Sequence, residues 1–339
     1  MTRRLTLLLA VLMTTAAAGC GGTTVEKERA VTVRSDTAAQ PAPAGSGGQA
    51  AGRGVHIWVV THGQASSPFW AIVRNGVDAG ARQMDAVVTY RAPDIYSVPK
   101  MVSLIDQAIA ARPDGLVVSL PEPALAPAIR RAVRAGIPTI TINSGSDMYA
   151  RLGVLAHIGQ PEDRAGLKAG RRLAGLGVRR AICVNLHIPN VGLDARCAGL
   201  AKAMRAAGGR SQVIRVDDQS PAAPKRIAAA VARYRADGLL AMNATSGLAA
   251  LKGLAGDKHI KIATFDLGPD VLAAVRDGRL AFAVDQQAYL QGYLPIVFLA
   301  ERARYGLFPA QGDVIPTGPN FVTKENAGQA IQLAERSIR

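Results

Sequence analysis

The sequence predicts an α/β protein of two similar lobes, each a doubly wound parallel sheet with helices on both faces. Three observations predict it. Short apolar, β-branched runs alternate with longer amphipathic segments from Val55 to Tyr305, joined by short connections. The rhythm loosens around Ser146–Leu155 and then restarts. Polar residues recur where each run ends, at the edge where open α/β sheets bind ligands.

The first run, Val55–Trp70 (VHIWVVTHGQASSPFW), starts as a strand buried on both faces and ends at Ser66-Ser67-Pro68. There a serine can cap a helix and proline suits its first turn. The Thr61–Ser67 loop thus lies at the carboxyl end of the first strand, with Thr61, His62, Gln64, Ser66 and Ser67 as polar groups and Phe69 and Trp70 as flat apolar walls. Hydroxyls rim a sugar or polyol and CH groups cover its face, which this mixture matches. A helix over about 68–83, a strand over 86–90 and a helix over 98–111 follow. Asp114-Gly115 then turns into a strand over 116–119, and a helix over 124–135 stops at Gly136 before a fourth strand, Ile137–Asn143. After the break, helices are expected over 165–176, 193–207, 221–235, 245–254, 269–277 and 289–305. They alternate with strands over 180–185, 212–216, 238–242, 260–265 and 281–284.

The chain of 339 residues is long enough for two cores, and 49% of it is apolar. Its formal charge of +15 comes from 40 basic and 25 acidic residues. The arginines are spread over helix faces, with no long like-charge run and no basic–aromatic interleaving, so nucleic acid is excluded as a partner. Arg3 and Arg4, the apolar stretch Leu5–Met13 and the small residues before Cys20 form an export signal, too short to span a membrane. The Ala-Ala-Gly-Cys ending resembles a bacterial lipobox, which implies a lipid on Cys20; cleavage without a lipid is the alternative. Residues 21–53 read as a flexible tether. In an oxidising compartment Cys183 and Cys197 are left as an even pair on a strand and its following helix. A bridge is the expected arrangement and two buried thiols the alternative. No CxxC, HExxH or His/Cys cluster calls for a metal, and no motif calls for a cofactor. No G-x-S-x-G, P-loop or G-x-G-x-x-G follows the first strand, so an enzyme is not expected.

Thr61-His62, Asn143-Ser144, Asn243, Asp266 and Asp285-Gln286-Gln287 each follow a strand. Singly, each suits a turn or a helix cap. As a converging set they suit a binding cleft. Together with Pro68-Phe69-Trp70, IPTITINSG, HIGQPEDRAGLKAG, LDARCAG, AMNATSG, TFDLGPD and DGRLAFAVDQQAYLQG, in that order, they make residues 54–322 resemble the periplasmic sugar-binding proteins of ABC importers, of the ribose- and galactose-binding type.

That resemblance implies a type I periplasmic binding protein fold with a multi-crossing hinge. The crossings fall near Ile158–Gln160, Gln286–Gln287 and Gly312–Val314, giving lobes of 54–159 plus 287–312 and 160–286 plus 313–339. The strand ends offer Thr61, His62, Asn143 and Ser144 as ligand contacts, with His62 packed against its own loop as the alternative, and the resemblance implies contacts from Ser67, Phe69, Trp70 (of the two aromatics, the one placed toward the cleft), Arg196, Asn243, Asp266 and Gln286. The ribose-type pattern has an Asp-Arg pair where this chain has Asn143-Ser144, so a charged clamp is replaced by a neutral one. The implied function is an exported, lipid-anchored, monomeric receptor that closes on a small sugar or polyol and delivers it to the permease and ATPase subunits of an ABC importer. A sensory lipoprotein that signals without transport is the alternative. A repressor on this fold would need a helix-turn-helix where the signal segment stands.

Overall fold

The computed structural model describes residues 54–63, 67–309, 312–336 and 338. The export signal, Cys20 and the tether lie outside the described residues, as do Gln64 and Ser66 of the first loop. The chain begins β1 (Val55–Val60), α1 (Pro68–Gln83), β2 (Ala86–Arg91), α2 (Val98–Ala111), β3 (Gly115–Ser119), α3 (Ala126–Arg134), β4 (Thr139–Ile142) and β5 (Ala156–Gly159). It continues with α4 (Glu162–Gly175), β6 (Arg180–Leu186), α5 (Val191–Ala206), β7 (Arg210–Val216), α6 (Ala223–Tyr234), β8 (Gly238–Ala241), α7 (Ala244–Gly253), β9 (Lys261–Phe265), α8 (Pro269–Arg276) and β10 (Phe282–Asp285). Then come α9 (Ala288–Tyr305), β11 (Val314–Pro316), β12 (Asn320–Val322) and α10 (Ala327–Glu335).

Local chemistry sets several boundaries. Ser97 caps α2 by accepting the Lys100 amide, and Asn190 caps α5 by accepting the amides of Gly192 and Leu193. Ser67 stands at the N-cap of α1 ahead of Pro68, but its hydroxyl makes no capping bond. Proline at the first helical position already lacks one of the orphan donors and presets φ, so α1 starts without that bond.

Two six-stranded sheets result, ordered β2-β1-β3-β4-β5-β11 and β7-β6-β8-β9-β10-β12. Over their first five strands the winding is the same, so the two lobes that the βα rhythm predicts share one topology up to the last strand, which is parallel in the first sheet and antiparallel in the second. Every pairing is parallel except β12 against β10. β3, β4, β8 and β10 are buried at every position, as strands covered by helices on both faces must be. Phe265, Phe282, Ile57, Leu116 and Ile140 are among the fully buried side chains; burial of each contributes roughly 1.5–3 kcal/mol.

The chain passes between sheets three times. Gln160-Pro161 leads from β5 into α4, Gln286-Gln287 from β10 into α9, and Thr317–Pro319 from β11 into β12. The first two lie at or next to residues 158–160 and 286–287. The third falls later than Gly312–Val314, because β11 pairs with β5 in the first sheet. Residues 314–316 therefore sit with the first lobe's sheet. A three-residue strand carries too little alternation to be read from sequence.

Glycines let one helix pair in each lobe approach closely. A Cβ on Gly76 or Gly292 would lie 2.0 Å from the Tyr289 carbonyl oxygen or 1.9 Å from that of Val73, which brings α1 against α9. In the second lobe a Cβ on Gly166 would lie 2.0 Å from the Arg196 carbonyl oxygen, and one on Gly199 2.2 Å from that of Asp163. Cys183 on β6 and Cys197 on α5 are joined by a disulfide with Cα atoms 5.7 Å apart, which ties α5 to its sheet.

Two outcomes follow. Gly166→Ala and Gly199→Ala each force α4 from α5 and lower unfolding free energy in urea by about 2 kcal/mol or more. Gly175→Ala, where a Cβ meets nothing within 4 Å, stays within about 1 kcal/mol of the parent. Equal values for all three would refute this packing. Cys183→Ala/Cys197→Ala loses about 3 kcal/mol in the same assay, as expected for closing a loop with a sequence separation of 14.

Candidate functional site

The site is built on two matching strand ends. Asn143 follows β4 and Asp266 follows β9, the fourth strand from the same edge of each sheet. Both have φ of +67°, a left-handed conformation that Asn and Asp tolerate better than most residues. Each amide continues the ladder one residue past its strand, from Asn143 to the Ile158 carbonyl at 3.1 Å and from Asp266 to that of Val284 at 3.0 Å. The left-handed turn stops each strand at a side chain placed toward the junction of the lobes.

A run of side-chain hydrogen bonds joins these two ends through the hinge. Asn143 Nδ2 donates to Gln286 Oε1 (3.3 Å) and to Gln291 Oε1 (3.2 Å). Gln286 Nε2 donates to Asp266 Oδ1 at 2.5 Å. Gln291 Nε2 donates to the Gln286 carbonyl and to Thr317 Oγ1, whose own hydroxyl donates to that carbonyl at 2.8 Å. Two of the three crossings are thereby tied into one buried amide cluster.

Arg196 of α5 lies beside Asp266 and is 2% exposed. Its Nε and Nη2 donate to Glu162 Oε2 and Oε1 at 2.6 and 2.8 Å, a bidentate fork, and Nη1 donates to the Met242 carbonyl at 3.1 Å. The guanidinium carbon sits 4.3 Å from the Phe265 ring centroid. Gln160 Nε2 donates to Glu162 Oε2, which brings the remaining crossing into the network. Burial pushes the Glu162 carboxyl up, against the pull of Arg196, while Glu162 and Asp266 hold the Arg196 guanidinium charged. Burial likewise pushes Asp266 up to about 6; Arg196 and Gln286 pull it back, and Glu162 and Asp285 add to the rise.

Between the lobes a cleft is lined by Phe69 and Ile72 from α1 and by Asp266, Leu267, Asp285, Gln286 and Ala288. Phe69 is therefore the aromatic wall. Trp70, the residue favoured from sequence for that place, is 7% exposed and packs into the first lobe's core, edge-on to His62 with ring centroids 4.8 Å apart. Helical geometry turns adjacent residues about 100° apart, so one of the two had to face inward. The lobes also touch directly. Val191 donates its amide to the Pro121 carbonyl at 2.9 Å, and Ser144 Oγ donates to Asn190 Oδ1 at 3.0 Å.

Other residues proposed from sequence have structural partners. The Thr61 hydroxyl bonds Tyr90 Oη at 2.8 Å, linking β1 to β2. Asn243 caps α7 through Ser246 and donates to Asp218 Oδ2 at 2.7 Å. The Ser119 hydroxyl accepts the His62 amide and bonds Nδ1, both at 2.8 Å, and burial pushes the imidazole down to about 3, so the ring is neutral. The Ser67 hydroxyl makes no capping bond to α1. Sequence reading missed Glu162, Gln291 and Thr317 as site members. A lone arginine on a helix face that is otherwise Gly, Ala, Leu and Cys was the available signal for Glu162, since buried arginines are paired.

The family model for the periplasmic binding protein domain matches residues 57–306. A carbohydrate transporter from Acidothermus cellulolyticus, solved in complex with myo-inositol, is 33% identical with a TM-score of 0.79, over 85% of this chain and 100% of that one. The xylose/arabinose-binding protein XylF of Sulfolobus acidocaldarius is 25% identical over 80% of this chain and 71% of its own length. GanP, a glucose-galactose binding protein from Geobacillus stearothermophilus, shares the fold with a TM-score of 0.71 at 21% identity, over 81% of this chain and 99% of its own. A doubly repeated α/β winding, three crossings and a cleft between the lobes accord with these matches: the chain belongs to the periplasmic binding protein family, a family of solute receptors and not of enzymes.

Proposed function

We propose that this protein is an extracytoplasmic receptor for a neutral cyclic polyol, a monosaccharide or a cyclitol such as myo-inositol, which it hands to an ABC permease. The observation that carries this reading is the Asn143–Gln286–Asp266 chain between the lobes, with Arg196 behind it and Phe69 across from it. A carboxylate accepts two hydroxyl protons, an amide offers both donor and acceptor, and an aromatic face covers CH groups. The neutral Asn143-Ser144 clamp suits a ring that carries hydroxyls all round. The myo-inositol in the Acidothermus cellulolyticus relative supports the cyclitol end of the class. Closure around the ligand would desolvate these groups, and a hydroxyl missing from a competitor would leave one of them unpaired. Anchoring through a lipid on Cys20, action as a monomer and delivery to permease and ATPase subunits complete the reading.

A thermal-shift screen of the purified protein tests the class. With ligand at a hundredfold its Kd, the native state gains about 2.7 kcal/mol, a shift of several degrees. We expect it with myo-inositol or one of ribose, xylose, arabinose, glucose and galactose, and expect Asp266→Asn and Phe69→Ala to abolish it while the protein stays folded. Folded protein that responds to none of these compounds would count against the reading.

Affinity should also depend on pH. Ligand hydroxyls donate to Asp266 only when it is ionised, and its pKa of about 6 lies above the ordinary 3.8. Below pH 6 binding must expel a proton, so affinity rises with pH up to about 6 and levels off above it, with binding about tenfold weaker at pH 5 than at pH 7. In the free protein the same raised pKa works the other way: the native state holds its proton more tightly, and stability falls as pH rises from about 4 to 6. Calorimetric titration at pH 5, 6 and 7 measures the first effect. A flat profile would remove Asp266 from the ligand's contacts.

A further inference from the structure

Away from the cleft, at the amino-terminal ends of the second sheet's edge strands, lies a groove of about 340 Å³. Arg180, Arg210, Arg233 and Arg235 line it, together with Ser211 and Tyr234. Arg180 and Arg210 are register partners at the starts of β6 and β7. Arg233 and Arg235 flank Tyr234 where α6 ends, Arg235 in a left-handed conformation (φ 49°). Arg180 Nε donates to the Arg235 carbonyl at 2.5 Å, which fixes one guanidinium across the groove.

None of the four belongs to an ion pair among the described residues. The acid nearest in the chain, Asp237, has Oδ1 engaged by the backbone amides of Arg179 and Arg180 at 2.9 and 2.7 Å. Helix-end electrostatics explain a cation at Arg233 but not those at the strand starts. Four cations lining one groove call for an acceptor-rich anion. A carboxylate has two oxygens and one charge, whereas a phosphoester offers up to three free oxygens and up to two charges and matches several guanidinium forks at once.

The geometry points to a second binding site, for a phosphoester of headgroup size, in the groove between Arg180, Arg210, Arg233 and Arg235. A free sugar or glycerol phosphate, a monoester, offers all three oxygens; the headgroup of an anionic phospholipid, a diester, keeps two free oxygens and one charge and is the weaker match, so the test separates the two sources. The site is independent of the polyol reading, since it shares no residue with the cleft.

The test uses the full-length protein with sn-glycerol 3-phosphate in calorimetry and with phosphatidylglycerol or phosphatidylcholine vesicles in sedimentation. Arg210 and Arg233 are exposed, so Arg210→Gln/Arg233→Gln keeps the fold, checked by an unchanged melting curve. Arg164→Gln/Lys168→Gln, on exposed positions of α4, removes the same charge elsewhere. Saturable binding of glycerol phosphate, at least tenfold weaker in the groove variant and unchanged in the control, establishes the site with a soluble ligand. Binding to phosphatidylglycerol vesicles alone, lost in the groove variant only, establishes it with a lipid. Binding to neither probe, or equal loss in both variants, overturns the proposal and leaves a diffuse basic surface. Asp266→Asn separates the two readings, because it leaves the groove intact whatever it does to the cleft.

Discussion

The buried pair of Glu162 and Arg196 is the constraint on which the second lobe and the cleft both depend. With side chains only 2% and 3% exposed, the two ions have lost nearly all hydration. Such a burial is tolerable only when geometry is good and the remaining donors are met. Here the fork is bidentate, Gln160 completes the carboxylate, and the Met242 carbonyl and the Phe265 face take up the guanidinium. Removing one partner would strand a charge, at a cost of about 3–5 kcal/mol. The requirement propagates outward. Arg196 can reach Glu162 only if α5 crosses α4 at backbone contact, and that is why glycine occupies 166 and 199. The neighbouring disulfide at Cys197 holds α5 against β6, so the guanidinium is delivered beside Asp266 from a fixed helix.

The repeated topology explains why the polar cluster sits at the hinge. Asn143 and Asp266 occupy equivalent turns, and Gln160 and Gln286 follow equivalent strands. Each glutamine reaches toward an acid of the second lobe, Glu162 or Asp266. The chain crosses between lobes at both glutamines, so crossing residues are bonded to residues of the cleft network. On the proposed reading, a ligand on Asp266 would compete with or reinforce the Gln286 bond and so couple occupancy to the crossing through one side chain.

Much of this was legible in the sequence, and the failures have physical causes. The alternation of buried strands and amphipathic helices is a strong signal, and it located β1, β4, β6, β8 and β9 to within a few residues. β5 was missed because Ala-His-Ile-Gly carries a histidine and a glycine in a four-residue strand, and β11 and β12 are shorter still. Of the strand-end residues, Asn143, Asp266 and Gln286 do converge on the junction, while Thr61 and Asn243 are spent on Tyr90 and on a helix cap. The same residue types serve both ends, so only tertiary contacts separate them. Glu162 was invisible for a related reason: an acid in a helix's first turn normally faces water and complements the dipole, and nothing local says that this one is buried.

Charge is partitioned across the molecule in a way that bears on what can enter the cleft. The chain carries +15 overall, yet around the cleft Glu162, Asp266 and Asp285 gather about the single cation Arg196. Surface arginines are screened from this point by solvent over roughly 10 Å, while the buried carboxylates act through a medium of lower dielectric. An anion entering there would face uncompensated negative charge with no free guanidinium fork to receive it, since the fork of Arg196 is already closed on Glu162. A neutral hydroxyl-rich ring would meet no such penalty. The groove at the far end of the second sheet has the reverse polarity, with guanidiniums unpaired and no lining carboxylate. One lobe therefore holds two environments of opposite sign, separated by the length of its strands, and the cleft would repel the anion proposed for the groove.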